Sequence, residues 1–141
     1  MHPALSIILF TALSGMGFGL FVWLGVGAVP VEARTAATVV AFLLSAAGLS
    51  AATFHLGHPE RAWRALSQWR SSWLSREGII AIATLGLTPV WWYLDYAPAI
   101  GFILALLALG TVYTTSMIYA QMRSVQQWNS YLTTIVFLLF A

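Results

Sequence analysis

Four stretches of this chain, residues 3–31, 35–54, 78–94 and 96–122, hold no charged residue at all. A helix of about 20 apolar residues crosses the hydrocarbon core of a bilayer at 1.5 Å per residue, and lipid tolerates little else because backbone polar groups find no water there. Over the whole chain 60% of residues are hydrophobic and 7% charged, with a mean hydropathy of +0.85. Soluble domains average roughly 25% charged. The chain reads as an all-α integral membrane protein.

The uncharged runs place spans at about 5–27, 35–55, 78–94 and 99–122, a four-helix transmembrane bundle forming one domain over 1–141. A fifth span begins near 130, but the closing run YLTTIVFLLFA has too few residues to cross a bilayer. The chain is therefore expected to be the front portion of a longer protein. The first span lacks the cationic n-region of a signal peptide and is expected to be retained. Its Gly15-Met-Gly-Phe-Gly19 pattern, and Ala41, Ser45, Gly48 and Ala52 at helical spacing on the second span, predict close packing of small faces rather than a dinucleotide loop.

The formal charge is +2, from six arginines and no lysine against four acids. So small an excess, with no basic soluble face, predicts no nucleic-acid partner. With no cysteine the chain can hold neither a disulfide nor an iron–sulfur cluster of its own. Alternating spans gather Arg61, Arg64, Arg70, Arg76 and Arg123 at one membrane surface and leave Arg34 at the other, which predicts that the loop 56–77 is cytoplasmic. Asp95 falls on the surface opposite that loop.

That loop concentrates most of the polar chemistry. The segment FHLGHPERAWRALSQWRSSWLSREG, residues 54–78, holds six of the ten formal charges, two of the three histidines and three of the seven tryptophans. From Pro59 onward Ala62, Leu66, Trp69 and Trp73 recur at helical spacing, which predicts an interfacial amphipathic helix over 59–74. Trp63, Arg70 and Trp73 are its candidate partner-docking residues, with a lipid belt as the competing role.

His55, at the end of the second span, and Glu77, at the start of the third, fall near one membrane edge beside His58, Arg61 and Arg64. Helix-end placement explains each one singly. Together they suit a quinone, whose apolar head group carries two oxygens and takes up two protons with two electrons. Histidine titrates near neutrality, and a desolvated carboxyl moves towards the same range. Tyr113, Thr114, Thr115 and Tyr119 on the fourth span are candidate pocket hydroxyls, with helix–helix bonding the plainer role. Met16, Met117 and Met122 read as packing.

The start MHPALSIILFTALSGMGFGL, the block FHLGHPERAWRALSQWRSSWLSREG and the later SMIYAQMRSVQQWN resemble the membrane-anchor subunits of the dimethyl sulfoxide reductase family, including the sulfite dehydrogenase anchors. The resemblance implies a multi-pass subunit of the bacterial inner membrane without haem. It implies docking to an iron–sulfur subunit and, through it, to a molybdenum catalytic subunit, with electrons exchanged with the quinone pool. It ties His55 and Glu77 to quinone binding and proton handling; His58, Arg61 and Arg64 join them by proximity alone. Family members are about twice as long, with roughly eight spans, so any quinone-pocket wall that their second half contributes is expected to be missing here. The cytoplasmic arginine loop favours the sulfite dehydrogenase anchors, with sulfite oxidation reducing quinone, over a dimethyl sulfoxide reductase anchor oxidising menaquinol.

Two other classes fit less well. A b-type cytochrome anchor needs axial ligands from separate positions, whereas His55 and His58 share one helix end and His2 lies at the terminus. A small transporter needs ionisable groups or broken helices at mid-bilayer; the spans carry only hydroxyls, glycines and Pro89.

Overall fold

The computed structural model describes residues 5–53 and 62–141, and every regular element among them is helical. The helices are α1 (Leu5–Gly25), α2 (Val31–Thr53), a single turn α3 (Ala62–Ala65) that tightens to 3-10 over Leu66–Gln68, α4 (Trp73–Tyr93), α5 (Pro98–Ala120) and α6 (Tyr131–Phe140). Of these α1, α2 and α5 are long and apolar enough to cross a membrane.

Two helices start earlier than their uncharged runs, and capping explains both. Helix α2 begins directly after Pro30 and takes Glu32 into its first turn, where the helix dipole favours an acid. Helix α4 begins at Trp73, because Ser72 adopts extended backbone and its hydroxyl accepts the Ser75 N–H. Arg76 and Glu77 thereby become helical residues of α4.

That start also divides the segment read as one interfacial helix. Within its described part, 62–74, the helical turn ends at Gln68, whose carbonyl accepts both Ser71 N–H (3.1 Å) and Ser72 N–H (2.9 Å). Adjacent serines favour turns and caps over helix interiors, so the chain turns there and restarts. Leu66 packs against Gly78 of α4, where an added Cβ would meet its Cδ2 at 2.9 Å.

Both turns at the far end of the bundle are closed by the same device. Between α1 and α2, Ala28 N–H bonds the Trp23 carbonyl (3.0 Å) and Gly27 N–H the Leu24 carbonyl (3.1 Å), with Gly27 at φ 76°. Between α4 and α5, Tyr96 N–H bonds the Trp91 carbonyl (2.9 Å) and Asp95 N–H the Trp92 carbonyl (3.1 Å), with Asp95 at φ 49°. These are Schellman-type ends, which satisfy the last carbonyls and reverse the chain in few residues.

The short reversals make α1/α2 and α4/α5 antiparallel pairs. Helices α1 and α5 pack on each other at the centre, α2 flanks α1, α4 flanks α5, and α6 returns along α5 towards α1. Small residues set the closeness of α1 and α2: a Cβ on Gly17 would collide with Ser45 and the Ala41 carbonyl, and one on Gly48 with Ser14. Gly15, the first member of the GxxxG pattern, has open space instead, and Gly19 faces Ala141. The packing face is thus Gly17 with Ala41, Ser45 and Gly48. Phe18, Phe21, Leu24, Leu104, Ala108, Val112 and Trp91 fill the centre.

Many hydroxyls inside the helices bond back to their own turns, as Thr38 does to the Arg34 carbonyl (2.8 Å) and Thr88 to that of Thr84 (2.9 Å). This spares them the penalty of an unmade hydrogen bond in lipid.

Candidate functional site

The first turns of α4 place Glu77 on the face turned towards α5, and only 2% of it remains exposed. Spacings of four and seven residues from Glu77 put Ala81 and Thr84 on the same buried face, so the helix that packs Ala81 into the core also drives the carboxyl inward. The Glu77 partner is Thr115 of α5, whose hydroxyl donates to Glu77 Oε1. The same Thr115 Oγ1 lies 2.9 Å from the Thr111 carbonyl. One hydroxyl proton thus faces two acceptors, and a proton carried by the carboxyl would complete the chain from Glu77 through Thr115 to Thr111.

No arginine forms an ion pair with Glu77 among the described residues. Arg64 is exposed and lies over the Trp63 ring, 5.4 Å from its centroid. Arg70 lies over Trp69 at 5.3 Å, also exposed. Arg76, the immediate neighbour of Glu77, points away from it. Its guanidinium donates to the Trp69 carbonyl (2.9 Å) and the Arg70 carbonyl (2.7 Å) and covers the Trp73 ring at 4.3 Å. It ties down the turn that precedes α4.

The candidate docking residues part company in the same way. Trp63 is 67% exposed, on an outer surface. Trp73 is turned inward and meets Tyr113 edge to face, with ring centroids 6.1 Å apart. His55, His58 and Arg61 lie outside the described residues.

Of the four hydroxyls proposed along α5, Thr115 alone reaches the carboxyl. Thr114 bonds the Gly110 and Thr111 carbonyls, each at 2.9 Å, and Tyr119 stacks on Phe137 and meets Trp128 edge to face. Residues absent from the sequence reading join the site from the other side. A cavity of about 400 Å³ lies between α1, α5 and α6, lined by Thr115 together with Thr11, Ser14, Phe18, Val112 and Phe137. The signal for it was faint, since Thr11 and Ser14 look like ordinary helix hydroxyls, and each bonds a carbonyl of its own helix. Ser75, two residues before Glu77, is fully buried, and its hydroxyl has no partner among the described residues.

Fold and site together define a multi-pass helical membrane protein with a buried acid near one end of its bundle. The chain belongs to the DMSO reductase anchor subunit (DmsC) family, whose model matches residues 1–141. It is similar to a sulfite dehydrogenase subunit of Allochromatium vinosum, with 36% identity over 166 aligned positions that cover 98% of this chain and 51% of that protein. The chain thus spans about half the length of this curated relative. No solved structure matches it.

Proposed function

We propose that this chain is the membrane-anchor and quinone-reactive part of a molybdenum and iron–sulfur oxidoreductase, passing electrons between a docked iron–sulfur subunit and the quinone pool. The observation that carries the reading is the Glu77–Thr115 pair: an acid buried in an apolar bundle, with a hydroxyl partner and no arginine paired to it among the described residues. Ionisable groups placed this way in membrane proteins mark sites, because burial without function is costly. Membership of the anchor family supplies the class of reaction.

A quinone supplies the two-electron, two-proton chemistry when bound. The chain's own residues would hold it and handle protons. Glu77 takes up or releases one at its carboxyl, and His55, at the end of the neighbouring helix in sequence, serves the second oxygen of the head group. His58, Arg61 and Arg64 join as polar neighbours from the same loop. Trp63 and Arg70, both exposed, form the surface for the iron–sulfur subunit, with Trp73 supporting it from beneath. The arginine-rich end faces the cytoplasm of a bacterial inner membrane, on the distribution of arginines. Similarity to a sulfite dehydrogenase subunit favours sulfite as the substrate of the molybdenum partner, with quinone reduced.

The test is substitution in the assembled complex. His55→Ala and Glu77→Gln should each lower quinone-coupled turnover by at least about a hundredfold, as expected when a group that transfers protons is lost. The partner subunits should still co-purify. Wild-type turnover in both variants would remove the assignment.

A further inference from the structure

Glu77 is too deeply buried for a ligand to reach it directly, yet its partner stands at the wall of a cavity. Thr115 belongs to both features: its hydroxyl bonds Glu77 Oε1, and the residue lines the space between α1, α5 and α6. Resting on the quinone reading above, we propose that the α1/α5/α6 cavity receives the ligand's head group and that Thr115 is the positioning residue that links it to Glu77.

Three observations support this placement. The volume, about 400 Å³, lies in the range of small-ligand pockets, roughly 300–1,000 Å³. The walls are apolar, from Ile8, Phe18, Val112, Val136 and Phe140, with polar interruptions at Thr11, Ser14 and Thr115. That composition fits a lipophilic ring bearing oxygens and suits a water-soluble ligand poorly. Of the three hydroxyl residues, Thr115 is the one bonded to an acid; Thr11 and Ser14 bond backbone carbonyls of α1. A hydroxyl oxygen keeps a lone pair for a further partner while its proton is directed to Glu77, so a ligand hydroxyl or a water on the cavity side can bond the same atom. The carboxyl then acts on the ligand through Thr115, and α5 fixes the distance between them.

The experiment uses the intact complex in membranes, with a short-tailed ubiquinone for kinetics and a photoreactive azidoquinone for labelling. In the wild type the label should fall on α1 and α6 peptides, around Ile8–Met16 and Val136–Phe140, and excess unlabelled quinone should suppress it. Thr115→Val keeps the shape and removes the hydroxyl. It should lower quinone-coupled kcat by about tenfold to a hundredfold, the range for one hydrogen bond to a charged group, while KM changes less than threefold. Thr115→Ser should restore most of the rate, which a purely structural role for the side chain would not require. Labelling that maps elsewhere on the chain, or a Thr115→Val complex with wild-type kcat, overturns the inference and leaves the proposed function standing. A complex that neither reduces nor binds the quinone overturns both. Where Thr115→Val fails to assemble, the wild-type labelling map decides.

Discussion

The two ends of the bundle are built on opposite plans. At the end holding Gly27 and Asp95, both connections are short, their helix carbonyls are capped, and side chains stitch the elements together. Trp91 donates from its indole N–H to the Ala97 carbonyl (3.1 Å) and meets Tyr96 edge to face at 4.8 Å. Tyr96 in turn donates to Thr35 of α2 (3.1 Å), and Arg34 covers its ring at 5.4 Å. At the arginine-rich end, the connections are longer and an acid is buried beside a cavity. One end uses its polar groups to hold the helices; the other buries an acid that has a hydroxyl partner and no ion pair among the described residues. An ionisable group buried without a counter-charge is the usual mark of a working site.

Substitutions should separate the two plans by their readouts. The largest effect on stability is expected at the shared interface of α1 and α2: Gly17→Leu drives a side chain into Ser45 and the Ala41 carbonyl and should cost on the order of 3 kcal/mol. Loss of folded protein on fluorescence-detected size exclusion would show it, while Gly15→Ala, facing open space, should behave as wild type. At the closed end, Gly27→Val forces a β-branched residue to φ 76° and should cost about 2 kcal/mol, read as a lower thermal midpoint in detergent with quinone kinetics unchanged. At the open end, Ser72→Ala removes the α4 cap and should cost about 1 kcal/mol. Because that cap positions Glu77, quinone-coupled turnover should fall more than stability does; an equal fall in both would erase the distinction between the ends. Arg64→Glu should change stability by no more than about 0.5 kcal/mol, as for most exposed positions, and leave the thermal midpoint near that of the wild type. On the proposed function its expected effect is release of a docked iron–sulfur subunit from membranes, and undisturbed co-purification would assign the Trp63 face to lipid.

Much of this arrangement is legible in the chain itself. Charge-free runs report spans directly, because an unpaired charge in hydrocarbon is expensive, and the helices centre on those runs. Glu77 stands out for the same reason. Helix starts are less legible, since capping by Ser72 and the dipole preference at Glu32 act over one turn and let charged residues into the helix ends. The segment 62–74 misleads because helical spacing of Leu66, Trp69 and Trp73 survives a break at serines that the spacing does not register. Thr115 is one of four candidate hydroxyls, among the six on α5, and Gly17 one of three alternating glycines.

What the sequence determined alone is the solvent and the direction of the chain: lipid, helices, alternation, and which end gathers arginine. These follow from transfer energies summed over about 20 residues at a time, which need no knowledge of neighbours. Tertiary structure decided which single atoms meet. Thr115 lies 38 residues beyond Glu77 and bonds it because the Asp95 turn folds α5 back in a particular rotation against α4. A rotation of one residue, about 100° around a helix with 3.6 residues per turn, would have offered Thr114 or Ser116 instead.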